Sequence, residues 1–118
     1  MAIAFDNSAA AYISTGSTSH TFAFTVGAGS NKGLCIFIHC FDGDRITGVT
    51  YATVAMTQIN KVKQGTSSDY GYMYYLNAPA SGANNFVVSV SPSARISYAI
   101  SSYSGVLQTG QPEANNSA

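Results

Sequence analysis

Period-two alternation constrains this chain more than any other feature. Residues 19–26 read Ser-His-Thr-Phe-Ala-Phe-Thr-Val, so His20, Phe22, Phe24 and Val26 share one side of an extended strand, with Thr21, Ala23 and Thr25 on the other. The same alternation returns at residues 95–103, where Ile96, Tyr98 and Ile100 oppose Ser97, Ala99 and Ser101. Residues 33–41 are apolar on both sides, which marks a central strand covered on each face. Further strands are expected at 46–51 and 54–62, joined tightly at Ala52-Thr53, at 70–76, and at 86–90, where Pro92 stops the run. Turn clusters separate them at 27–33, 42–44, 64–69 and 80–85. No stretch carries a helical period with caps, and no repeat recurs at a fixed spacing. About seven or eight short strands with regular turn signals predict an all-β antiparallel sandwich, jelly-roll-like, with essentially no helix. At 118 residues the chain is one domain's worth, expected at 1–106, with 107–118 a polar tail or linker.

Charge excludes several function classes. Only 8% of residues are charged, and 5 Lys+Arg balance 5 Asp+Glu, so there is neither a basic footprint for nucleic acid nor a polybasic membrane patch. Hydroxyl and amide side chains must supply solubility instead. The first residues, Met-Ala-Ile-Ala-Phe-Asp, show no basic leader, so the chain is expected to be made and kept in a cytosol or exported by a route not visible here. Cys35 and Cys40 fall on one strand, on opposite faces and about 16 Å apart. A disulfide needs Cα atoms within roughly 7 Å, so these two do not pair with each other.

The chemistry-bearing residues are few. Cys35 and His39 share a strand face about 13 Å from end to end, too far for one zinc ion, and His20 and Cys40 do not complete a set. Asp42, Asp44 and Asp69 lack the spacing of a calcium loop and read as turn residues. No nucleophile elbow occurs, and the acids sit in turns or near the termini, Glu113 in the tail. The expectation is a protein that is not an enzyme and takes no metal or cofactor. The most pointed feature is aromatic: Tyr70, Tyr72 and Tyr74 stand on one face of a strand and Tyr75 on the other. Such a row is read as covering a sandwich face, as a subunit interface, or as a ligand platform on which a sugar stacks. The absence of Trp counts against the sugar.

Four segments together resemble a β-sandwich domain of tailed-phage virion proteins and bacterial surface or secreted proteins. They are Ile46-Thr-Gly-Val-Thr-Tyr-Ala-Thr-Val-Ala-Met-Thr57, Tyr72-Met-Tyr-Tyr-Leu-Asn-Ala-Pro79, Phe86-Val-Val-Ser-Val90 and Ser101-Ser-Tyr-Ser-Gly-Val106. Ile3–Asn7 and Phe22–Asn31 fit the same pattern. In that family a glycine pair closes the first hairpin, where this chain has Ala52-Thr53. The family domain also runs on with more strands, so the resemblance implies a compact version, or strands supplied by another copy or segment. It further implies a structural virion component (capsid decoration, tail or fibre-associated) that meets other copies of itself or other assembly proteins. Its place would be the virion, assembled in the host cytoplasm. The alternative is a carbohydrate-binding adhesin at a cell surface.

Overall fold

The computed structural model describes residues 3–66, 68–106 and 108. Among them seven strands form in chain order: β1 (Ala4–Val26), β2 (Gly33–Cys40), β3 (Ile46–Tyr51), β4 (Val54–Ala55), β5 (Thr57–Lys63), β6 (Tyr70–Asn77) and β7 (Gly82–Ser104). Every pairing is antiparallel and no helix forms among the described residues, as the alternation predicts. One sheet runs β4-β3-β7-β2-β6-β5, with β1 paired along the other side of β7.

The two 23-residue strands organise the rest. From Ala4↔Ser104 to Val26↔Gly82 they pair with each other, interrupted by register shifts between Ile13 and Ser19. At that interruption both strands turn a corner, so each contributes to two layers. The larger layer holds β1 before the corner, β7 after it, β2, β6 and β5; the smaller holds β1 after the corner, β7 before it, β3 and β4. Chain ends far apart in sequence therefore meet. Asn7 Nδ2 donates to Thr25 O at 2.8 Å, and the Asp6 carboxylate accepts from Gly27 N at 2.8 Å and from the buried Ser102 hydroxyl at 2.7 Å. These bonds, the backbone one first, hold the Asp6 carboxyl below its ordinary range.

The structure departs from the sequence expectations at Pro92, in 54–62 and at 80–85, where β7 already begins at Gly82, and it adds a strand over residues 8–18, for which none was expected. Pro92 does not end a strand: β7 continues through it, and the proline lies in the stretch between Ser89 and Ala94 where the ladder to β1 is interrupted. A residue without an N–H is tolerated there because no ladder bond is asked of it. The corner is closed by His20 Nε2 donating to Ala94 O at 2.8 Å and Arg45 donating to Ser93 O at 2.7 Å. Residues 8–18, which carry no clean alternation, are strand nonetheless. The expected single strand 54–62 is two, because the chain changes layers at Met56: β4 pairs β3, and β5 pairs β6.

The interior lies between the layers. Phe24, Val26, Val49, Tyr51, Phe86 and Val88 of the smaller layer face Ile36, Ile38, Tyr72, Tyr74, Ile96 and Ile100 of the larger, all buried. Phe86 is the centre of an aromatic group, its ring 4.7 Å from Tyr51, 5.4 Å from Phe22 and 6.1 Å from Phe24. Phe22 in turn stacks on Tyr98 at 3.9 Å, joining the layers. Of the expected tail, only Gln108 is described. It donates to Lys32 O at 3.1 Å and accepts from Asn77 Nδ2 at 3.0 Å; residues 107 and 109–118 lie outside the described residues.

The β3–β4 hairpin closes over two residues although neither is glycine. Ala52 and Thr53 both take positive φ, 51° and 66°, between the partners Tyr51 and Val54. Positive φ at both central residues makes this a primed turn, whose twist matches that of the flanking strands. A β-branched residue is strained there by about 1–2 kcal/mol. Thr53 is exposed, so Thr53→Gly is expected to stabilise the fold by about 1 kcal/mol, read as a higher urea midpoint. An unchanged or lower midpoint would show that the turn is not strained.

Candidate functional site

Cross-strand partners project to the same side of a sheet, so the register defines what the larger layer shows to its surroundings. The middle row is Ala10, Ala99, Phe37, Met73 and Asn60. One flanking row is Tyr12, Ser97, His39, Gly71 and Val62; the other is Ser8, Ser101, Cys35, Tyr75 and Thr57. No Asp, Glu, Lys or Arg occurs in these three rows. Tyr12, Phe37, Val62 and Met73 are exposed at 55, 43, 40 and 38%. An opening of about 270 Å³ lies between Phe37, Asn60, Val62 and Met73, floored by Gly71, and runs on toward His39 and Gln64. A Cβ on Gly71 would sit 3.0 Å from the Phe37 ring, so glycine lets that ring lie across β6.

Sequence reading expected this central strand to be covered on both faces, and that expectation is corrected. The inner side chains Leu34, Ile36, Ile38 and Cys40 are completely buried, but Phe37 is exposed and Cys35 and His39 only half-buried. The described residues form one further layer, and it covers the inner side only. The apolar outer residues were legible; that none of the described residues lies over them was not.

An aromatic group closes one end of the face. His39 stacks on Phe41 at 4.3 Å, Tyr12 meets Phe41 edge-on at 5.3 Å, and the Arg95 guanidinium lies 5.8 Å from the same ring. Arg95 is held by Asp42, which accepts from Arg95 Nη2 and from its backbone N–H, both at 2.8 Å. The side-chain bond, then the backbone one, brings the Asp42 carboxyl down to about 2 from its ordinary 3.8. A depressed carboxylate stabilises the fold above its unfolded pKa and loses that contribution as pH falls through the folded one. The Asp42 contribution is therefore full above about pH 4 and fades between about 4 and 2. The thermal midpoint of wild type minus that of Asp42→Asn is expected to shrink across this window; a constant difference would refute the pairing.

The tyrosine row, read as covering a sandwich face, as a subunit interface or as a ligand platform, lies mostly inside the fold, as the first of these readings has it. Tyr72 and Tyr74 are 1% and 4% exposed and belong to the core, while Tyr70 is half-buried at the strand's end. Their side of β6 is the one facing the smaller layer, because the strand's apolar alternate, Met73, points outward. Their hydroxyls reach the core margin instead: Tyr72 donates to Asp44 at 2.6 Å and Tyr74 to Gln58 at 3.2 Å. Burial first, then the Asp44 carboxylate, pushes the Tyr72 phenol far above its usual range. Of the four, Tyr75 alone lies on the outer face, half-buried beside Cys35, its hydroxyl enclosed without a partner.

The remaining polar residues are spread over separate pairs. Asp42 holds Arg95, Asp44 holds Lys61 at 2.8 Å, and Asp69 holds His39 Nε2 at 3.0 Å. Among the described residues no group of three or more His, Cys, Asp or Glu side chains could bind a metal ion. The two thiols are free, and burial raises both. The engaged nitrogens of His20 and His39 face a backbone carbonyl and a carboxylate rather than a nucleophile. Another opening, of about 430 Å³, lies on the smaller layer among Thr50, Thr53, Asn84 and Asn85. No family model, curated protein or solved structure matches this chain.

Proposed function

We propose that this chain is a non-enzymatic structural module that works by association with other copies of itself in a larger assembly, most concretely as a virion component of the capsid-decoration, tail or fibre-associated kind. One observation carries the reading: the larger layer leaves Phe37, Val62, Met73 and Tyr12 exposed in three cross-strand rows that hold no Asp, Glu, Lys or Arg, with the Arg95–Asp42 pair only at their end. Water removed from such a surface stabilises contact by about 25 cal/mol per Å² of apolar area, and no charge within those rows has to be desolvated in exchange. Identical neutral copies approach without repulsion, since the net charge is +0. The aromatic stack fixed by Arg95 and Asp42 gives that face a rigid end. The resemblance of the sequence segments to virion β-sandwich domains supports the setting; the rest of the reading stands without it.

The test is the solution mass at micromolar concentration by light scattering on a size-exclusion column. An oligomer or filament is expected. A folded monomer of 12.3 kDa that gains thermal stability on adding a saccharide would overturn the reading and favour a carbohydrate-binding adhesin, with the Thr50–Asn84 opening as its site.

A further inference from the structure

The two edges of the larger layer are treated differently. Strand β5 ends the layer on one side with Lys61 and Lys63 opposite Tyr72 and Tyr70, hence on its inward side, and with a register shift between Gln58 and Asn60. Inward-pointing lysines and a bulge are the devices by which an edge strand refuses another strand. On the opposite side, β1 from Ser8 to Ile13 reads Ser-Ala-Ala-Ala-Tyr-Ile, with regular pairing to β7 and no charge, proline or bulge. Residues 8–12 are exposed on both faces, including Ala9 and Ala11, whose partners Ile100 and Tyr98 belong to the inner side. This stretch therefore overhangs the sandwich as an unguarded edge.

We infer that Ser8–Ile13 is a strand-pairing site whose occupant is the same segment of a second copy, antiparallel about a twofold axis at Ala10. The inference rests on the assembly reading above and names the surface that begins it. Self-pairing follows from the residues. From Asn7 to Ser19 there is no charged side chain, so two identical strands meet without like charges opposed. Centred on Ala10, the outer row sets Ser8 against Tyr12 of the copy and Tyr12 against its Ser8, a large ring beside a small residue on each side of the axis. On the inner row Ala9 meets Ala11, and both strands can approach closely. The edge backbone gains partners, and two layers of five strands become one continuous sheet. An unrelated partner strand would need the same uncharged, small-residue pattern, which this chain already supplies.

The experiment compares the solution mass of wild type, Ala10→Lys, Ala10→Glu and Met73→Lys. Ala10 is exposed, so circular dichroism is expected to show all variants folded. Wild type is expected to contain a dimer of twice 12.3 kDa, alone or as the unit of a larger species. Ala10→Lys and Ala10→Glu each place like charges opposite one another and are expected to abolish that dimer, and mixing the two in equal amounts to restore it. If Ala10→Lys keeps the wild-type mass while Met73→Lys loses it, the edge pairing is overturned and association through the outer face stands. If the charged variants dissociate and their mixture does not reassociate, twofold pairing at Ala10 is overturned. A monomeric wild type overturns the pairing and the self-assembly reading together.

Discussion

Phe86→Ala is expected to cost the fold about 3–5 kcal/mol, a large part of the roughly 5–15 kcal/mol that holds a domain of this kind together. Phe86 is fully buried in the smaller layer and touches three other rings, Phe22, Phe24 and Tyr51. Truncation removes the transfer free energy of the ring and leaves a cavity. Collapse around it is limited because Tyr51 is tied in place, its hydroxyl donating to Phe24 O at 2.7 Å. The neighbouring Phe22 also bridges to Tyr98 across the core, so a loosened Phe22 weakens the contact between layers as well as the layer it sits in. Urea unfolding followed by tyrosine fluorescence should show a midpoint far below wild type. A midpoint within a few tenths of a molar would mean that the layers are not packed through this ring.

The second large effect is a contrast between neighbours on one strand. Ile38→Ala is expected to cost about 2–5 kcal/mol, because Ile38 is fully buried between the layers. Phe37→Ser, one residue earlier, is expected to cost about 1 kcal/mol or less in the dilute monomer, since the ring is already 43% exposed. Ordinary folding would not ask for Phe at a solvated position, so the cheapness of its loss separates an interface residue from a core residue. Equal destabilisation by the two substitutions would place Phe37 inside the fold and remove the outer face as a working surface.

Where alternation was strict, sequence and structure agree to the residue. His20, Phe24 and Val26 point inward, as do Ile96 and Ile100, since a strand of period two has a single way to bury its apolar side. Glycine with asparagine at 27–33, and glycine with aspartate at 42–44, likewise marked breaks between strands. Residues 8–18 escaped because alternation records burial, and an edge exposed on both faces has no apolar side to record. Pro92 misled because a missing N–H ends a strand only where a ladder bond is due, and at the corner none is. The tyrosine row was found correctly as a row, yet which side of β6 faces the smaller layer depends on what packs across from it. Tyr72 and Met73 are both apolar enough to bury, and only the packed layers settle that Tyr72 joins the core while Met73 stays exposed.

By itself the sequence determined the class of fold and the character of the surface. Its alternation, turns and absence of helical period require antiparallel strands, and its small balanced charge leaves hydroxyls, amides and bare apolar groups to face outward. Tertiary structure alone decided that β1 and β7 turn a shared corner, that none of the described residues covers the apolar outer side of β2, and that one sheet edge carries lysines while the other carries none. The physical reason is that periodicity is local, set by the side-chain geometry of each strand, whereas cover and edge are relations between strands that lie dozens of residues apart and meet only when the layers close.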